Sequence, residues 1–113
     1  KYSPEELEHF LCQSDLIAQS LVYEGKDGVI TAALYPNEEA VKQILGTLAD
    51  EHGEAYRKAI APLLHKEVER VNALFPAYKS IGRIVLREDD FVRTTTQKIK
   101  RNEPENFREE YVI

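Results

Sequence analysis

A run of cationic and hydroxyl side chains lies close to the carboxyl end of this chain. Residues 91–101 read F-V-R-T-T-T-Q-K-I-K-R and contain four cations and no acid. Ammonium, guanidinium and hydroxyl groups donate hydrogen bonds without adding negative charge, so the segment suits a phosphate or a phosphoanhydride. Composition alone favours a solvated basic stretch that balances the acidic residues 88–90 immediately before it. Phosphate binding and simple solvation are therefore both open interpretations.

The other residues that could carry chemistry give weaker signals. His9, His52 and His65 are too far apart in sequence for a local metal motif, and one cysteine cannot build a structural zinc site. No activating base is evident for Cys12, so we expect it to be a small buried apolar side chain. The G-K-D-G stretch at residues 25–28 lacks the spacing of a phosphate-binding loop. The sequence therefore predicts no metal site.

Length and charge set the broad class of protein. The 113 residues fit one domain, and 42% of them are hydrophobic, which is enough for a packed core. Lys and Arg number 15 against 20 Asp and Glu, and the net charge of −5 disfavours a general nucleic-acid binder. No apolar run is long enough to span a membrane. The single cysteine fits a reducing compartment, so we expect a cytoplasmic location.

Helix signals open the chain and recur in its middle. Ser3 and Pro4 supply a cap and a first-turn proline, which predict a helix over residues 4–12. Asn37 caps a second predicted helix. A longer helical pattern follows, and Pro62 predicts a break or kink that leaves a clean helix over about residues 63–74. The second helix is expected to place four apolar side chains on one face: Val41, Ile44, Leu45 and Leu48.

Three segments have the pattern of strands, namely residues 16–23, 29–35 and 83–87. The first two flank the glycine turn and predict a β-hairpin. The second scarcely alternates, so we expect helices to cover both of its faces. The prediction is a small three-layer α+β domain in which about three strands are flanked by helices. Residues 102–113 are polar and charged, and we expect them to form a loosely packed tail.

Three segments resemble motifs of the adenylate-forming enzymes. Residues 91–101 are similar to T-x-x-G-K-[IL]-x-R, the motif near the end of those enzymes, with Gln97 at the glycine position. Residues 1–8, K-Y-S-P-E-E-L-E, resemble the stretch K-x-x-P-E-E-[IL]-E that follows the interdomain hinge. Residues 67–79 resemble E-V-N-x-x-L-P-x-Y-K, a form typical of long-chain fatty acyl-CoA synthetases. The three occur in the family's order and span nearly the whole chain.

The resemblance implies that residues 1–113 are a single domain of a larger enzyme. That domain would be the mobile C-terminal cap of an AMP-forming long-chain fatty acid–CoA ligase. Lys98 matches the family's adenylation lysine, and three further residues are expected to contact substrate or nucleotide: Thr94, Lys100 and Arg101. ATP, coenzyme A and a fatty acid would be substrates of the whole enzyme. Its N-terminal adenylation domain would be the partner and would bind Mg²⁺, so the isolated chain is expected to be inactive.

Two alternative functions remain open at this point. The chain could be the cap of a peptide-synthetase adenylation domain, against which stand the helical insert of residues 37–76 and the Val71-Asn72 signature. It could also be a non-catalytic α+β module whose basic strip binds a phosphorylated ligand. In that case Lys98 would be a surface residue, and replacing it would leave any activity unchanged. For a fatty acid ligase, peripheral contact with a membrane would accompany the cytoplasmic location.

Overall fold

The amino-terminal segment folds as its capping signals predict. A computed structural model describes residues 2–113, and Lys1, the first residue of the 1–8 motif, lies outside them. Helix α1 spans Pro4–Leu11, and the Ser3 hydroxyl accepts a hydrogen bond from the Glu6 N–H at 3.4 Å. Leu7 and Leu11 are buried. The predicted first helix is therefore confirmed, and it ends one residue early.

Within residues 2–113, four strands form one sheet in the order β1-β2-β3-β4. They are β1 (Ile17–Glu24), β2 (Ile30–Pro36), β3 (Arg83–Leu86) and β4 (Tyr111–Val112). β1 and β2 form the predicted antiparallel hairpin, β3 runs parallel to β2, and β4 is antiparallel to β3. Gly28 has a φ of +83°, a left-handed conformation that glycine adopts without strain, so the glycine turn closes the hairpin. The fourth strand, in the tail, adds to the three that the sequence indicates.

Three further helices connect β2 to β3. They are α2 (Glu38–Leu45), α3 (Leu48–Glu51) and α4 (Glu54–Asn72). The Asn37 side chain caps α2 by accepting from the Ala40 N–H at 3.1 Å. Gly46 ends this helix with a φ of +63°, so Leu48 belongs to the next helix and Ile44 is 56% exposed. The predicted common apolar face is thus wrong for both residues: the chain turns at Gly46 before Leu48, and Ile44 lies within α2 but faces solvent.

The predicted break at Pro62 is also wrong, because α4 continues through it. The buried stripe of this helix includes Ile60 and Leu64, and Pro62 lies on the opposite, exposed side. The missing N–H leaves the Lys58 carbonyl without its helical donor. Lys58 and Pro62 both lie on the exposed side of α4, so the lost hydrogen bond is away from the core.

The end of α4 is connected to the start of β3 by one side chain. Asn72 accepts from the Ile81 N–H at 2.8 Å and donates to the Ile81 carbonyl at 3.1 Å. The preceding residue, Val71, is fully buried in the main core. The Val71-Asn72 pair therefore fixes the approach of the chain to the sheet after the Ala77–Lys79 3₁₀ turn.

The two faces of the sheet are covered by different structures. All four α-helices contribute to the core on one face. On the other face Leu21, Ala33 and Val85 pack against Phe91 and against partly buried side chains that include Ile99 and Phe107. This cover is the irregular segment 91–107, which contains one 3₁₀ helix, Pro104–Phe107. The three layers are confirmed, but the expectation that helices cover both faces is corrected.

The expectation of a loosely packed tail is wrong. Asn106 is completely buried and makes three hydrogen bonds to backbone groups of Val92 and Lys100, at 2.8 to 3.0 Å. The Ile113 N–H donates to the Ile84 carbonyl at 3.0 Å. Although the tail is mostly polar, the side-chain amide of Asn106 is buried and bonds to the backbone of residues 92 and 100.

A buried cation reinforces this connection. Arg87 follows β3 and is only 4% exposed. Its guanidinium donates to the carbonyls of Asp89, Asp90 and Glu105, at 3.2, 3.3 and 2.7 Å. These carbonyl acceptors satisfy guanidinium N–H donors that would otherwise be buried without hydrogen-bond partners. Arg87 thus holds the acidic turn and the tail against the same side of the sheet.

Candidate functional site

The basic segment forms a tight loop with its own hydrogen bonds. Arg93 and Ile99 make an isolated antiparallel bridge, and the Thr94 N–H donates to the Lys98 carbonyl at 2.7 Å. The Gln97 N–H donates to the Thr94 carbonyl at 2.9 Å, which closes a turn over residues 94–97. We refer to residues 93–101 as the basic loop. These hydrogen bonds hold the backbone of the basic loop in one conformation and so fix the positions from which its side chains extend.

Gln97 adopts a conformation that favours glycine. Its φ is +67°, in the left-handed region where a Cβ approaches the following carbonyl oxygen. The motif that residues 91–101 resemble has glycine at this position. A glycine would adopt this backbone conformation without strain, and in this chain Gln97 adopts it with a side chain present.

Thr94 organises the turn with its hydroxyl. Its Oγ1 accepts a hydrogen bond from the Lys98 N–H at 3.3 Å and lies 3.0 Å from Thr96 Oγ1. These contacts place the backbone of the lysine relative to the start of the turn. The Thr94 hydroxyl is therefore engaged within the loop.

Two of the four cations in the loop are paired with carboxylates. Arg93 donates to both oxygens of Asp90, at 3.0 and 3.1 Å, and to the Gln97 carbonyl at 3.2 Å. Arg101 donates from Nη2 to Glu8 Oε1. One ion pair lies at each end of the loop, and both connect it to the rest of the domain.

Lys98 and Lys100 differ from the two arginines. Both are exposed, and within residues 2–113 neither ammonium lies within 4.0 Å of a carboxylate oxygen. Lys98 lines a cleft beside the loop, whereas Lys100 is outside its lining. Lys98 therefore offers a positive charge to a ligand in that cleft.

The cleft has a volume of about 780 Å³ and lies between α1, β1 and the basic loop. The loop contributes Lys98, Thr94 and Thr96 to its lining, and the α1 side contributes Glu8 and His9. The structure thus brings two of the sequence motifs, residues 1–8 and 91–101, to one cleft. An ammonium beside hydroxyls can bind a phosphate oxygen and stabilise negative charge that develops on it.

Glu8 is a site residue that the sequence did not single out. Its side chain is 14% exposed, and Oε2 accepts from the Val22 N–H at 2.7 Å while Oε1 accepts from Arg101. Burial raises the pKa of the Glu8 carboxyl above its ordinary value, although the Val22 N–H and Arg101 oppose this shift. The available signal was its place on α1, three residues before the buried Leu11.

Cys12 is exposed rather than buried, which corrects the sequence expectation. It caps the carboxyl end of α1, so its side chain lies beside the cleft and outside the core. Its Sγ lies 3.2 Å from Ser20 Oγ. Desolvation of the sulfur raises the pKa of the thiol, and a thiol with a raised pKa is a weak nucleophile at neutral pH.

A second cavity, of about 680 Å³, lies beside the hairpin turn and Phe107. It contains Arg83, but this guanidinium is paired with Asp27. Tyr23 in its wall donates to Glu109 at 2.6 Å. Three carboxylates line this cavity, Glu24, Asp27 and Glu109, and its cations are Lys26 and Arg83. The cleft beside Lys98 is lined by two carboxylates, Glu5 and Glu8.

The described residues, 2–113, contain no group of three or more His, Cys, Asp or Glu side chains placed to share a metal ion. His52 Nδ1 lies 3.7 Å from Glu88 Oε1, and the other two histidines are elsewhere on the helices. Within the same residues no helix combines the length and apolar character that crossing a bilayer requires.

Comparison with known proteins gives a structural match. No protein-family model and no curated protein sequence matches the chain. The fold is similar to part of a solved structure, the unliganded form of O-succinylbenzoate coenzyme A synthetase (MenE) from Bacillus subtilis, with a TM-score of 0.55 and 20% sequence identity. The match covers 88% of this chain and 16% of that chain.

This likeness establishes the fold. The chain is a small α+β domain with a four-stranded sheet and helices, compatible with the C-terminal cap domain of adenylate-forming enzymes.

Proposed function

We propose that this chain is the mobile C-terminal cap of an AMP-forming acyl-CoA synthetase of the long-chain fatty acid type. The observation that carries the proposal is the position of Lys98. Its exposed ammonium stands on a tight loop at a cleft that two family-like motifs border, in a fold similar to part of a coenzyme A synthetase. The resemblance of residues 67–79 to the long-chain branch supports the choice of substrate class.

Lys98 would act in the first of two steps. The carboxylate of the acid attacks the α-phosphorus of ATP, which forms acyl-AMP and releases pyrophosphate. Two anions must approach each other, and negative charge spreads over the oxygens of the in-line transition state. A positioned ammonium stabilises that charge as a compact cation with three donors. Loss of one such donor costs about 100- to 1000-fold in the affected step.

The second step would follow rotation of the cap. The thiol of coenzyme A displaces AMP from acyl-AMP, and a rigid-body rotation about the hinge withdraws Lys98 before this attack. The connections of the basic loop support movement as one unit. Asp90 and Glu8 hold the two ends of the loop through their arginine partners, and Asn106 bonds to the backbone beside it.

Of the three residues expected to contact substrate or nucleotide, one is proposed to bind phosphate and the other two to shape the loop. The exposed ammonium of Lys100 is suited to a phosphate of the nucleotide or of coenzyme A. The Thr94 hydroxyl and the Arg101 guanidinium are already engaged within the domain. Their contribution is therefore to shape the loop from which Lys98 acts.

The rest of the enzyme would complete the site. We propose that an N-terminal adenylation domain binds ATP, Mg²⁺ and the fatty acid, since this chain spans 16% of the similar synthetase. The isolated chain is then inactive by itself. A cytoplasmic enzyme with peripheral membrane contact would fit a fatty substrate.

The test is acid-dependent ATP–pyrophosphate exchange by the ligase that contains this chain. Lys98→Ala should lower exchange by about 100- to 1000-fold. The same variant should still form thioester from preformed acyl-AMP and coenzyme A. Lys66→Ala is the matched control, because Lys66 is an exposed lysine on α4 away from the cleft, and its exchange should equal that of the wild type.

The choice of acid in this assay tests the substrate class. A long-chain fatty acid should support exchange better than acetate or free amino acids. Exchange that depends on an amino acid would assign the chain to a peptide synthetase instead. Full exchange by a folded Lys98→Ala variant would contradict the assigned role and leave the basic loop as a solvated surface or a phosphate-binding module.

A further inference from the structure

One buried carboxylate joins the two motifs that border the cleft. We propose that Glu8 is a positioning residue that fixes the basic loop, and with it the Lys98 ammonium, through its ion pair with Arg101. The pairing itself is independent of any reaction. The inference rests on the proposed function only for the chemistry that Lys98 performs.

The two oxygens of Glu8 have different partners. Oε2 accepts from the backbone N–H of Val22 in β1 at 2.7 Å, and Oε1 accepts from Arg101 in the basic loop. Glu8 itself belongs to α1. A single side chain therefore connects a helix, the edge strand of the sheet and the loop. The partner in the loop is separated from Glu8 by 93 residues of sequence, so the contact fixes tertiary structure rather than a local turn.

The position of Arg101 explains how this contact reaches Lys98. Arg101 lies three residues after Lys98 at the carboxyl end of the loop, and the other end is held by Arg93 on Asp90. With both ends fixed, the short turn between them has little freedom. Release of Arg101 would remove the ion pair at this end of the loop, where the Lys100 backbone would still bond to Asn106 and Val92. A misplacement of about 1 Å in a reacting group can cost about 100-fold in rate.

Burial makes the Glu8 pair more consequential than an ordinary surface ion pair. Exposed pairs contribute little, because water screens both charges. Glu8 is mostly withdrawn from water, so removal of Arg101 leaves the Glu8 charge with the Val22 N–H as its remaining partner. The neighbouring Glu5 opposes the Glu8 charge, which increases the need for the cation. The burial of Glu8 and the charge of Glu5 therefore favour a maintained ion pair between Glu8 and Arg101.

Amide hydrogen exchange of this chain, followed by NMR, tests the connection. Glu8→Gln keeps an acceptor for Val22 but removes the charge, and Arg101→Met removes the cation from an exposed side chain. Either change should speed exchange of the Thr94, Lys98 and Lys100 amides by about tenfold or more relative to the amides of β2. The double variant should add little to either single variant, because both remove the same contact.

Glu6→Gln is the matched control for this experiment. Glu6 lies on the same helix and its carboxylate is 4.0 Å from the Lys79 ammonium, so the change also removes one ion pair of α1. Exchange in the basic loop should then equal that of the wild type. Unchanged loop amides in Glu8→Gln and in Arg101→Met would overturn the proposal.

The ligase assay then tests the effect on chemistry. Glu8→Gln should lower kcat of acid-dependent ATP–pyrophosphate exchange by about tenfold or more, with little change in KM for ATP, because the loss is in placement of Lys98. A loosened loop with unchanged kcat would overturn the positioning role. Absence of exchange in the wild type would contradict the proposed function alone, since the amide measurement still decides whether Glu8 holds the loop.

Discussion

Gln97 shows how one backbone angle can connect a sequence departure to the geometry of a site. A left-handed residue other than glycine carries a conformational cost of about 1 kcal/mol or more. In this loop the cost falls immediately before Lys98, where the turn directs the chain back toward the domain. The hydrogen bonds around the turn, from Thr94 to Lys98, offset it.

We therefore expect Gln97→Gly to stabilise the domain by about 0.5 to 1 kcal/mol, as measured by urea unfolding. The gain comes from removing the Cβ at a φ of +67°. Gln97→Ala is the matched control, because it removes the same polar side chain but keeps the Cβ, and it should bring no gain. A loss of stability in the glycine variant would show that the Gln97 side chain itself holds the turn.

A pH dependence follows at Glu8. Burial raises its pKa in the folded state, and Arg101 acts in the opposite direction. Because the folded pKa lies above the unfolded value, the ionised form opposes folding, and stability from this group falls as the pH rises between the two values. Without Arg101 the pKa of Glu8 in the folded state rises further. The pH range between the unfolded and folded pKa values, over which stability is lost, then extends to higher pH.

Arg101→Met should consequently cost more free energy of unfolding at about pH 7 than at about pH 4, where Glu8 in the variant is protonated. Denaturant titrations at the two pH values measure the difference. In a Glu8→Gln background the same substitution should lose this pH dependence. An equal loss at both pH values would mean that the pair does not control the ionisation of Glu8.

Elements that depend on local signals could be predicted from the sequence. The Ser3 and Asn37 caps act on amides three residues away, and the hairpin depends on one glycine turn between two apolar runs. In each case the determining contacts lie within a few residues, so the pattern contains the information. Helix continuity at Pro62 could not be predicted in this way. It depends on which side of α4 faces solvent, which only the packing decides.

The segment that covers the second face of the sheet was even less predictable from local sequence patterns. Residues 91–107 have little regular structure, and their position depends on the buried side chains of Asn106 and Arg87. An asparagine in a polar tail gives no local sign that its amide will meet the backbone of Val92. The cationic character of the site was predictable from composition, but the ion pair between Glu8 and Arg101 depends on the fold.

Asn106→Ala should therefore destabilise the domain by about 2 to 3 kcal/mol in chemical denaturation, because it leaves buried backbone groups of Val92 and Lys100 without partners. Asn102→Ala is the control, since Asn102 is exposed in the same segment and its removal should have little effect. A loss below about 0.5 kcal/mol in Asn106→Ala would contradict the packed arrangement of the tail.

At the scale of the whole molecule, the domain has two unequal hydrophobic clusters on the two faces of one sheet. The larger is built from α1, from the helices that lie between β2 and β3 in sequence, and from the strand side chains that face them. The smaller is completed by the segment that also forms the basic loop. Residues 91–107 therefore both cover one face of the sheet and carry the candidate site. Substitutions that loosen this segment are expected to affect the stability of the domain and the site together.

This arrangement has a consequence for biosynthesis. The segment that covers Leu21, Ala33 and Val85 follows all three strands that carry them, so a ribosome releases it after they have emerged. Until then a nascent chain that has paired β1 with β2 presents an apolar sheet surface to its surroundings. Such surfaces associate readily with other chains. The domain can therefore bury this surface only after the chain through residue 107 has left the ribosome.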